Sequence, residues 1–452
     1  MSTTFLPSYS VGPDAYEEIG FVTKFYGKTV AVVGGETALK KASPRLLPAL
    51  EKAGLAVTCV EVYGKDATRA NVEKIRTNPA VAQADMIFGV GGGRAVDTVK
   101  TAADLMDKPF FTCPTLASNC APVSAIAVLY KEDGALDGYH FTKRCPNHCF
   151  IDTTVVLDSP EELFWAGIGD ALSKECESAF SSRGKALAHT PMLGVQVAAI
   201  CEGPLLRYGK AALDDFRAGR VTEAFSETVL DIIISTGIAS NLLTTEHAHY
   251  FNSSLAHCFY NSTMVLPAGH RHLHGETVSF GCLVLMAFDG NDEGLERLAR
   301  FNKSLGLPVK LADLDMTEAD LDPVIERART LREWTCVPEG VTGDARKLPR
   351  RDPQGRRLRP QSRLIFDASG TFRVPVDFLT LRSLPLRGVF LCGGVLSNSC
   401  ETCTNCMNPH RNSSLAIFTA REYASFRKDA SGVVQVAVLR HAASDGSSDT
   451  RT

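Results

Sequence analysis

The segment Gly89–Lys100 has the sequence GVGGGRAVDTVK, and the rest of the chain can be interpreted around it. The apolar residues Met86–Phe88 precede the glycines and are typical of a buried strand. Val96, Val99 and Ala103 follow at the spacing of one helix face. A strand, a glycine-rich turn and a helix start present backbone N–H groups and the positive end of the helix dipole to an anion. The segment therefore predicts a phosphate-binding turn, although many glycine-rich turns bind nothing.

Strand-like and helix-like segments alternate through the first third of the chain. The predicted strands are Thr29–Gly35, Ala56–Val62, Met86–Val90, Phe110–Pro114, Ala125–Tyr130, Cys149–Asp152 and Thr154–Leu157. Helices are predicted at Thr37–Leu50, where Pro44 and Pro48 should interrupt or restart the helix, and at Ala70–Thr77. This alternation favours a parallel sheet with helices on both faces. The loops at 34–35, 91–93 and 112–115 would then share the carboxyl edge, where such sheets bind ligands.

The pattern changes to long helices after Pro160. These predicted helices are Leu163–Phe180, Met192–Leu206, Arg220–Ile238, Val278–Phe288 and Gly294–Gly306. We therefore predict an α/β domain over residues 1–160, an all-α domain over 161–342 and an atypical, poorly ordered tail over 343–452.

The tail differs in composition from the rest of the chain. Residues 344–363 contain eight Arg or Lys, two Asp and three Pro, which predicts a basic linker. Cys400, Cys403 and Cys406 follow at a spacing that could bind zinc or an iron–sulfur cluster. Because no second paired motif accompanies them, we favour an adventitious cluster. A shifted reading frame beyond residue 342 would also produce such an atypical sequence.

Composition narrows the classes of partner and the compartment. The formal net charge of −3 excludes a general attraction to nucleic acid or to an anionic membrane. The sequence contains no run of about 18 apolar residues, so we expect no membrane span. The first residues lack the features of a signal peptide. Many of the fourteen cysteines stand singly in apolar segments, which is typical of free thiols in a reducing compartment. We expect a cytoplasmic protein with a small-molecule partner, no nucleic acid and no membrane.

Candidate metal ligands occur in the helical half. Six of the eleven histidines lie between residues 247 and 274, namely His247, His249, His257, His270, His272 and His274. Asp170 follows the small residues Ala166–Gly169, where a helix N-cap is the alternative to a ligand. Imidazole and carboxylate together suit a divalent metal, but a histidine on an apolar face is often an ordinary core residue. The spacing alone leaves both interpretations open.

Four blocks of sequence, taken together, resemble the iron-containing alcohol dehydrogenase and glycerol dehydrogenase-like family. They are 91–100, 114–130, 167–172, and 255–257 with 274–281, and the resemblance covers roughly residues 8–342. It implies a Rossmann-like, dinucleotide-binding N-terminal domain and a helical C-terminal domain, with the active site in the cleft between them. It assigns the cofactor site as follows: Gly91, Gly92 and Gly93 at the pyrophosphate, Asp97 and Lys100 fixing that turn, and Thr115, Ser118, Ser124, Ile126 and Tyr130 at the nicotinamide end.

The resemblance also assigns the metal and the chemistry. Asp170, His257 and His274 match the family's metal ligands, for either Zn or Fe. Lys174 stands where many metal-dependent members carry a further histidine. Asn119 and Cys120 stand where glycerol dehydrogenases carry an aspartate, and in this respect the chain looks more like the hydroxycarboxylate dehydrogenases that reduce 2-oxo acids.

The roles of Lys174 and of three histidines stay open. Lys174, or His270, is a candidate for holding a substrate carboxylate; alternatively Lys174 pairs with Glu175 or Glu177 on its own helix. His247 and His249 are candidates for a proton relay, although we favour ordinary structural roles.

Cofactor choice depends on the end of the first predicted strand. Gly35 stands where NAD-specific members carry an acidic residue, which leaves room for the 2′-phosphate of NADP beside Lys40 or Lys41. Both NAD and NADP therefore stay open.

The sequence thus predicts a metal-dependent, NAD(P)-linked oxidoreductase that interconverts an alcohol and its carbonyl by hydride transfer. A 2-hydroxy acid, glycerol or a related polyol is the expected substrate, and we expect a homo-oligomer. The alternatives are a dehydroquinate synthase-like lyase, which needs more basic residues than we can place, and an inactive nucleotide-binding scaffold that binds a partner through its tail.

Overall fold

The computed structural model describes residues 3–245 and 250–338, and the backbone of four short strands in the tail. The chain divides into two compact units, Met1–Leu379 and Thr380–Thr452. In the second unit, β9 (Leu391–Cys392) pairs antiparallel with β10 (Val395–Leu396), and β11 (Tyr423–Lys428) pairs antiparallel with β12 (Val434–Leu439). The predicted basic linker and the cysteines at 400–406 lie outside the described residues.

A six-stranded parallel sheet organises the N-terminal half, as the sequence predicts. Its strands are β1 (Ser8–Gly12), β2 (Thr29–Gly34), β3 (Ala56–Val62), β4 (Met86–Gly91), β5 (Phe110–Pro114) and β8 (His148–Asp152). They lie in the order β1-β8-β5-β4-β2-β3, and all pairs are parallel. Every residue of β4, β5 and β8 is buried, because helices cover both faces. The chain runs from β2 to β3 on one side and then crosses to β4 on the other side of β2, so the switch point where such sheets bind ligands lies between β2 and β4.

The helices of this half pack on both faces of the sheet. They are α1 (Ile19–Thr23), α2 (Glu36–Lys52), α3 (Arg69–Arg76), α4 (Pro79–Gln83), α5 (Gly93–Leu105) and α6 (Thr153–Leu157). On one face Leu46 joins Phe88 and Phe111 in a buried cluster. On the other face Val72 joins Val99 in a second cluster. The predicted arrangement of helices on both faces is confirmed.

Two local predictions in this half are wrong. Thr154–Leu157 forms helix α6 instead of a strand, because the carboxylate of Asp152 accepts hydrogen bonds from the N–H groups of Thr154 and Val155 and caps the helix. Pro44 and Pro48 do not interrupt α2, and both lie on its exposed face. The predicted strand Ala125–Tyr130 is present as β6 (Ile126–Tyr130); it lies outside the main sheet, where it forms an antiparallel hairpin with β7 (Leu136–Phe141).

The second half of the described chain, up to residue 338, is built from helices. They are α7 (Glu161–Ala171), α8 (Ser173–Ser182), α9 (His189–Ala198), α10 (Glu202–Arg217), α11 (Glu223–Leu230), α12 (Thr236–Leu243), α13 (Leu255–Thr263), α14 (His274–Asp289), α15 (Asp292–Leu305) and α16 (Leu321–Ala328). A π-helix, Asp231–Ser235, joins α11 to α12. Four 3₁₀ helices complete this half: Ala268–His270, Leu311–Leu314, Glu318–Asp320 and Arg332–Cys336. A further 3₁₀ helix, Ala15–Glu18, precedes α1 in the N-terminal half.

Several predicted long helices are divided in the structure. The predicted helix Leu163–Phe180 consists of α7 and α8, and the predicted helix Met192–Leu206 ends with α9 and restarts as α10. Pro204 lies in the first turn of α10, where its missing N–H costs no hydrogen bond. These helices enclose one large apolar core that includes Phe164, Phe216 and Phe225. The domain boundary near residue 160 stays a prediction.

None of the helices in the described parts of the chain is long and apolar enough to cross a membrane.

Candidate metal centre and nucleotide-binding edge

Asp170, His257 and His274 come together from three different helices, α7, α13 and α14. The Oδ1 atom of Asp170 lies 3.0 Å from Nε2 of His274 and 3.6 Å from Nε2 of His257. One ligand atom from each residue lies within 4.8 Å of the other two, and no other such group of three was found in the described part of the chain. The structure therefore brings together the three residues that the resemblance assigns to a metal.

Two glycines allow α7 and α14 to meet closely enough for this. Gly169 precedes Asp170, and a Cβ there would lie 2.5 Å from the carbonyl oxygen of Gly275. Gly275 follows His274, and a Cβ there would overlap the carbonyl oxygen of Ala166. A side chain at either position would separate the backbones. The adjacent ligands Asp170 and His274 depend on this contact for their 3.0 Å approach.

The chemistry of these atoms fits a divalent cation. Oδ1 of Asp170 is buried and forms no hydrogen bond of regular geometry, although Nε2 of His274 lies 3.0 Å away. Buried polar atoms in native proteins nearly always have a partner, so an orphaned carboxylate oxygen facing two imidazole nitrogens needs an explanation. One carboxylate and two imidazoles form a ligand set that catalytic metal sites use.

Glu177 on α8 holds His257 in place. Its side chain is fully buried, and its Oε2 atom accepts a 2.6 Å hydrogen bond from Nδ1 of His257. Its Oε1 atom accepts hydrogen bonds from the backbone N–H groups of Ser254 at 2.7 Å and of His257 at 2.9 Å. Because a carboxylate only accepts, Nδ1 must carry a proton, and Nε2 is the nitrogen that faces Asp170.

Charge at the centre shifts the pKa values of all three buried groups. Burial raises the pKa of Asp170, but the charges of His274 and His257 outweigh burial and hold it well below its usual range. Burial also raises the pKa of Glu177, and the charge of His257 outweighs it and lowers that pKa. Burial lowers the pKa of His257, while Glu177 and Asp170 raise it to about 10. The two carboxylates thus favour a proton on His257, which a metal has to displace.

Lys174 is the second residue of α8 and is almost completely buried, with 5% of its surface exposed. Its Nζ atom donates a 2.5 Å hydrogen bond to the side-chain oxygen of Asn252, and it forms no ion pair with a carboxylate of the described residues. The alternative pairing with Glu175 or Glu177 is therefore wrong, since Glu177 is bonded to His257.

The other candidate histidines lie away from the triad or outside the described residues. The side chain of His270 is hydrogen-bonded to the carbonyl oxygen of Met264, and His272 contacts Glu276. His247 and His249 lie outside the described residues. A residue that the sequence analysis did not select, Tyr260, packs its ring edge-on against His274 with the ring centroids 4.3 Å apart. Tyr260 lies three residues after His257 on α13. Residues at this spacing are neighbours on a helix surface, so the spacing was the signal that could have identified Tyr260.

The glycine-rich turn lies at the switch point of the sheet. Gly91 has φ = +144°, a conformation that favours glycine, and Gly92 is the N-cap of α5, which begins at Gly93. The N–H of Gly35 donates to the carbonyl of Val90 at 3.2 Å, and the N–H of Thr115 donates to Gly91 at 3.4 Å. Three loops therefore meet at one edge, as the sequence predicts, and backbone N–H groups at the start of α5 are available to an anion.

Asp97 and Lys100 form a buried ion pair at 3.0 Å that braces a different loop. Asp97 accepts a 3.0 Å hydrogen bond from the N–H of Val128, and Lys100 donates to the carbonyls of Ala121 and Ser124 at 2.9 and 3.0 Å. These contacts tie α5 to the loop before β6. The expectation that this pair fixes the glycine turn, from which α5 begins, stays a prediction.

Four cofactor-site candidates remain: Ser118, Ser124, Ile126 and Tyr130. Ser118 lies against α7, since a Cβ on Gly167 would be 2.8 Å from the Cα of Ser118. The hydroxyl of Ser124 donates to the carbonyl of Ile126 at 3.2 Å. Burial and the nearby Tyr260 raise the pKa of Tyr130. Because Tyr260 belongs to α13, the end of β6 lies near this helix.

Comparisons with known proteins agree with this geometry. A family model described as iron-containing alcohol dehydrogenase matches residues 7–153. Glycerol dehydrogenase of Escherichia coli O6:H1 is 31% identical over 342 residues, which cover 74% of this chain and 89% of that protein. Hydroxycarboxylate dehydrogenase A of Escherichia coli K12 is 29% identical over 302 residues, or 66% of this chain and 81% of that one. The crystal structure of a probable glycerol dehydrogenase from Sinorhizobium meliloti 1021 is similar with a TM-score of 0.64 at 28% identity, covering 75% of this chain and 94% of that chain.

The fold, the triad and the relatives define a metal-dependent, NAD-linked oxidoreductase that acts on CH–OH groups. The chain belongs to the iron-containing alcohol dehydrogenase family. The family and the class of enzyme predicted from the sequence are confirmed. The comparisons support neither the lyase alternative nor the inactive scaffold.

Proposed function

We propose that Asp170, His257 and His274 hold one divalent metal, and that a nicotinamide dinucleotide binds at Gly91–Gly93 to exchange hydride with a small alcohol or its carbonyl. The observation that carries this proposal is the convergence of three ligand atoms within 4.8 Å around a buried carboxylate oxygen that forms no hydrogen bond of regular geometry. When bound, the metal supplies Lewis acidity that favours the deprotonated alcohol.

The residues of this chain give the site its shape. Glu177 fixes the tautomer and the orientation of His257, and the edge-on ring of Tyr260 restricts His274. The Gly169–Gly275 contact sets the distance between Asp170 and His274. Three protein ligands are the number that catalytic metal sites use, which leaves a position for a substrate oxygen.

The metal is either Zn²⁺ or Fe²⁺. Imidazole and carboxylate ligands suit both ions, since two histidines and one carboxylate occur in zinc hydrolases and in ferrous oxygenases alike. Elemental analysis of protein purified without added metal measures the native occupant. Reconstitution of chelator-treated protein with each ion then measures which ion restores turnover.

NAD is the proposed cofactor over NADP. Lys41, one of two candidates for a 2′-phosphate, forms an ion pair with Asp158. Glu36 opens α2 directly after Gly35, at the end of β2, where a carboxylate suits a ribose 2′-hydroxyl and repels a 2′-phosphate. Lys40 is then the remaining lysine near this position. Initial rates with NAD and NADP at matched concentrations test this preference.

A small 2-hydroxy acid and its 2-oxo acid are the proposed substrates. Lys174 is a buried ammonium group; among the described residues it donates to the neutral side chain of Asn252 and forms no ion pair with a carboxylate. A buried charge without a counterion is costly, and the carboxylate of a substrate would remove that cost. Lys174 follows Asp170 by four residues, across the junction of α7 and α8.

Glycerol is the second candidate, because curated relatives and solved structures named glycerol dehydrogenase are similar to this chain. A substrate panel with 2-oxo acids of increasing chain length, glycerol and dihydroxyacetone separates the two candidates. We expect turnover of 2-oxo acids in wild-type protein. The variant Lys174→Gln should raise KM for 2-oxo acids by about tenfold or more while metal content is unchanged. Equal rates with glycerol in wild type and variant, and no turnover of 2-oxo acids, would contradict the substrate assignment.

Two further expectations are proposals about the cellular protein. Ten cysteines among the described residues are all unpaired, which supports a reducing compartment such as the cytoplasm. Homo-oligomeric assembly is also proposed, and light scattering of the purified protein measures it.

A further inference from the structure

The loop Cys120–Ala125 connects the two halves of the proposed active site. It lies between Ser118 and Ile126, which are assigned to the nicotinamide end. On one side of this segment, Gly93 approaches the side chain of Asn119. On the other side, Gly237 of α12 lies against Cys120 and Val123 of the loop, and Gly167 of α7 lies against Ser118 just before it. The position of this loop therefore affects how a bound nicotinamide faces the metal ligands.

The nucleotide-binding half holds the loop through two side chains. Nζ of Lys100 donates to the carbonyls of Ala121 at 2.9 Å and of Ser124 at 3.0 Å. The hydroxyl of Thr112, in β5, donates to the carbonyl of Pro122 at 2.8 Å. These bonds fix the loop to the sheet but do not fix it to the helices that carry the triad.

Asn241 on α12 supplies that second attachment. Its Oδ1 atom accepts a 2.7 Å hydrogen bond from the N–H of Ala125, and its Nδ2 atom donates a 2.9 Å hydrogen bond to the carbonyl of Val123. One turn earlier, Gly237 allows close contact, because a Cβ there would overlap the side chain of Val123. A single amide therefore satisfies two backbone groups of the loop with one acceptor and one donor.

We propose that Asn241 is a positioning residue for hydride transfer: it holds the loop at the nicotinamide end in register with the helices of the metal centre. The proposal rests on the proposed function, because it needs a dinucleotide and a metal on the two sides of the loop. Displacement of a reacting group by about 1 Å from a distant change can cost a factor of about a hundred in rate. Loss of this attachment should therefore reduce the rate of hydride transfer more than it reduces binding.

The test compares Asn241→Asp and Asn241→Leu with a matched control. Aspartate keeps the acceptor for Ala125 but places a second oxygen against the carbonyl of Val123, and leucine keeps the shape and loses both bonds. The control, Asn302→Leu, removes a buried amide that donates to the carbonyls of Ser279 and Pro308 at 3.3 and 3.2 Å, inside the helical half.

We expect both Asn241 variants to lose about tenfold or more in kcat, with metal content unchanged and the Kd of the reduced dinucleotide changed by less than about threefold. The isotope effect with substrate deuterated at the carbinol carbon should rise. The fluorescence anisotropy of the bound reduced nicotinamide should fall, and amide exchange of residues 120–125 should accelerate. Asn302→Leu should lower Tm and leave kcat per metal-loaded chain and the anisotropy at wild-type values.

Wild-type kcat, anisotropy and amide exchange in the Asn241 variants would overturn the positioning role. If Asn241→Leu does not fold, Asn241→Asp carries the test. A wild-type protein that binds no metal or turns over no alcohol would instead contradict the proposed function, and the anisotropy and amide exchange would still decide the role of Asn241.

Discussion

The variant Glu177→Gln tests how the centre prepares His257 for a metal. In the wild type, the two oxygens of Glu177 accept three hydrogen bonds, from the N–H groups of Ser254 and His257 and from Nδ1 of His257. Glutamine has the same shape but offers only one acceptor oxygen and one NH₂ group. Either orientation of the amide therefore loses part of this arrangement.

The two orientations fail in different ways. If the amide oxygen stays with the two backbone N–H groups, its NH₂ faces Nδ1 of His257, which must then accept; the proton moves to Nε2, the nitrogen that faces Asp170. If the amide is reversed, its NH₂ meets two N–H donors. A hydrogen bond to a charged group contributes about 1.5–3 kcal/mol. The expected loss is therefore about 10- to 100-fold in metal affinity, the range typical of residues that orient a metal ligand.

Competition with a chelator of known affinity measures this loss, and the same titration should be run on Glu175→Gln. Glu175 is the neighbouring acid on α8 and makes no hydrogen bond to His257. We expect the control to bind metal like the wild type. Wild-type metal affinity in Glu177→Gln, with the protein folded, would refute the argument that this carboxylate selects the tautomer of His257.

Three further predictions follow from the same contacts. Because the carboxylates raise the pKa of His257 to about 10, metal binding at pH 7–8 should release about one proton, and metal affinity should increase as pH rises. Calorimetry in buffers of different ionisation enthalpy measures the proton release. Binding that does not depend on pH would contradict this prediction. Gly275→Ala should drive α7 and α14 apart and abolish metal binding, whereas Gly203→Ala, where a Cβ meets no neighbour within 4 Å, should retain it; a metal-loaded Gly275→Ala protein would be the contrary result. Lys100→Met leaves the buried carboxylate of Asp97 without its cation and should cost about 3–5 kcal/mol of unfolding free energy in a urea titration; a loss below 1 kcal/mol would show that the pair is dispensable.

The parallel sheet was predictable because its strands are short apolar runs between glycine-rich turns. Thr154–Leu157 was misassigned, since a β-branched run of this length has no period that separates strand from helix. The capping carboxylate of Asp152 decided the matter, and its effect depends on local backbone geometry. Pro44 and Pro48 were misjudged because both lie on the exposed side of α2.

The metal ligands were found through family resemblance, since spacing alone left Asp170 open as a helix cap. Asp170 in fact lies near the end of α7, not at its start. The roles of Glu177 and Asn241 were not predictable from neighbouring residues. Glu177 acts on backbone groups of the segment before α13, and Asn241 acts on a loop of the other half. Such contacts join residues far apart in the chain, and a single sequence contains no signal for them.

Anomalous diffraction from crystals of metal-loaded protein, at the absorption edge of the bound ion, tests the central claim most directly. The account predicts one strong peak about 2.0–2.2 Å from Oδ1 of Asp170 and from Nε2 of both His257 and His274. An active, metal-containing protein whose anomalous peak lies elsewhere, with the three side chains unligated, would contradict it.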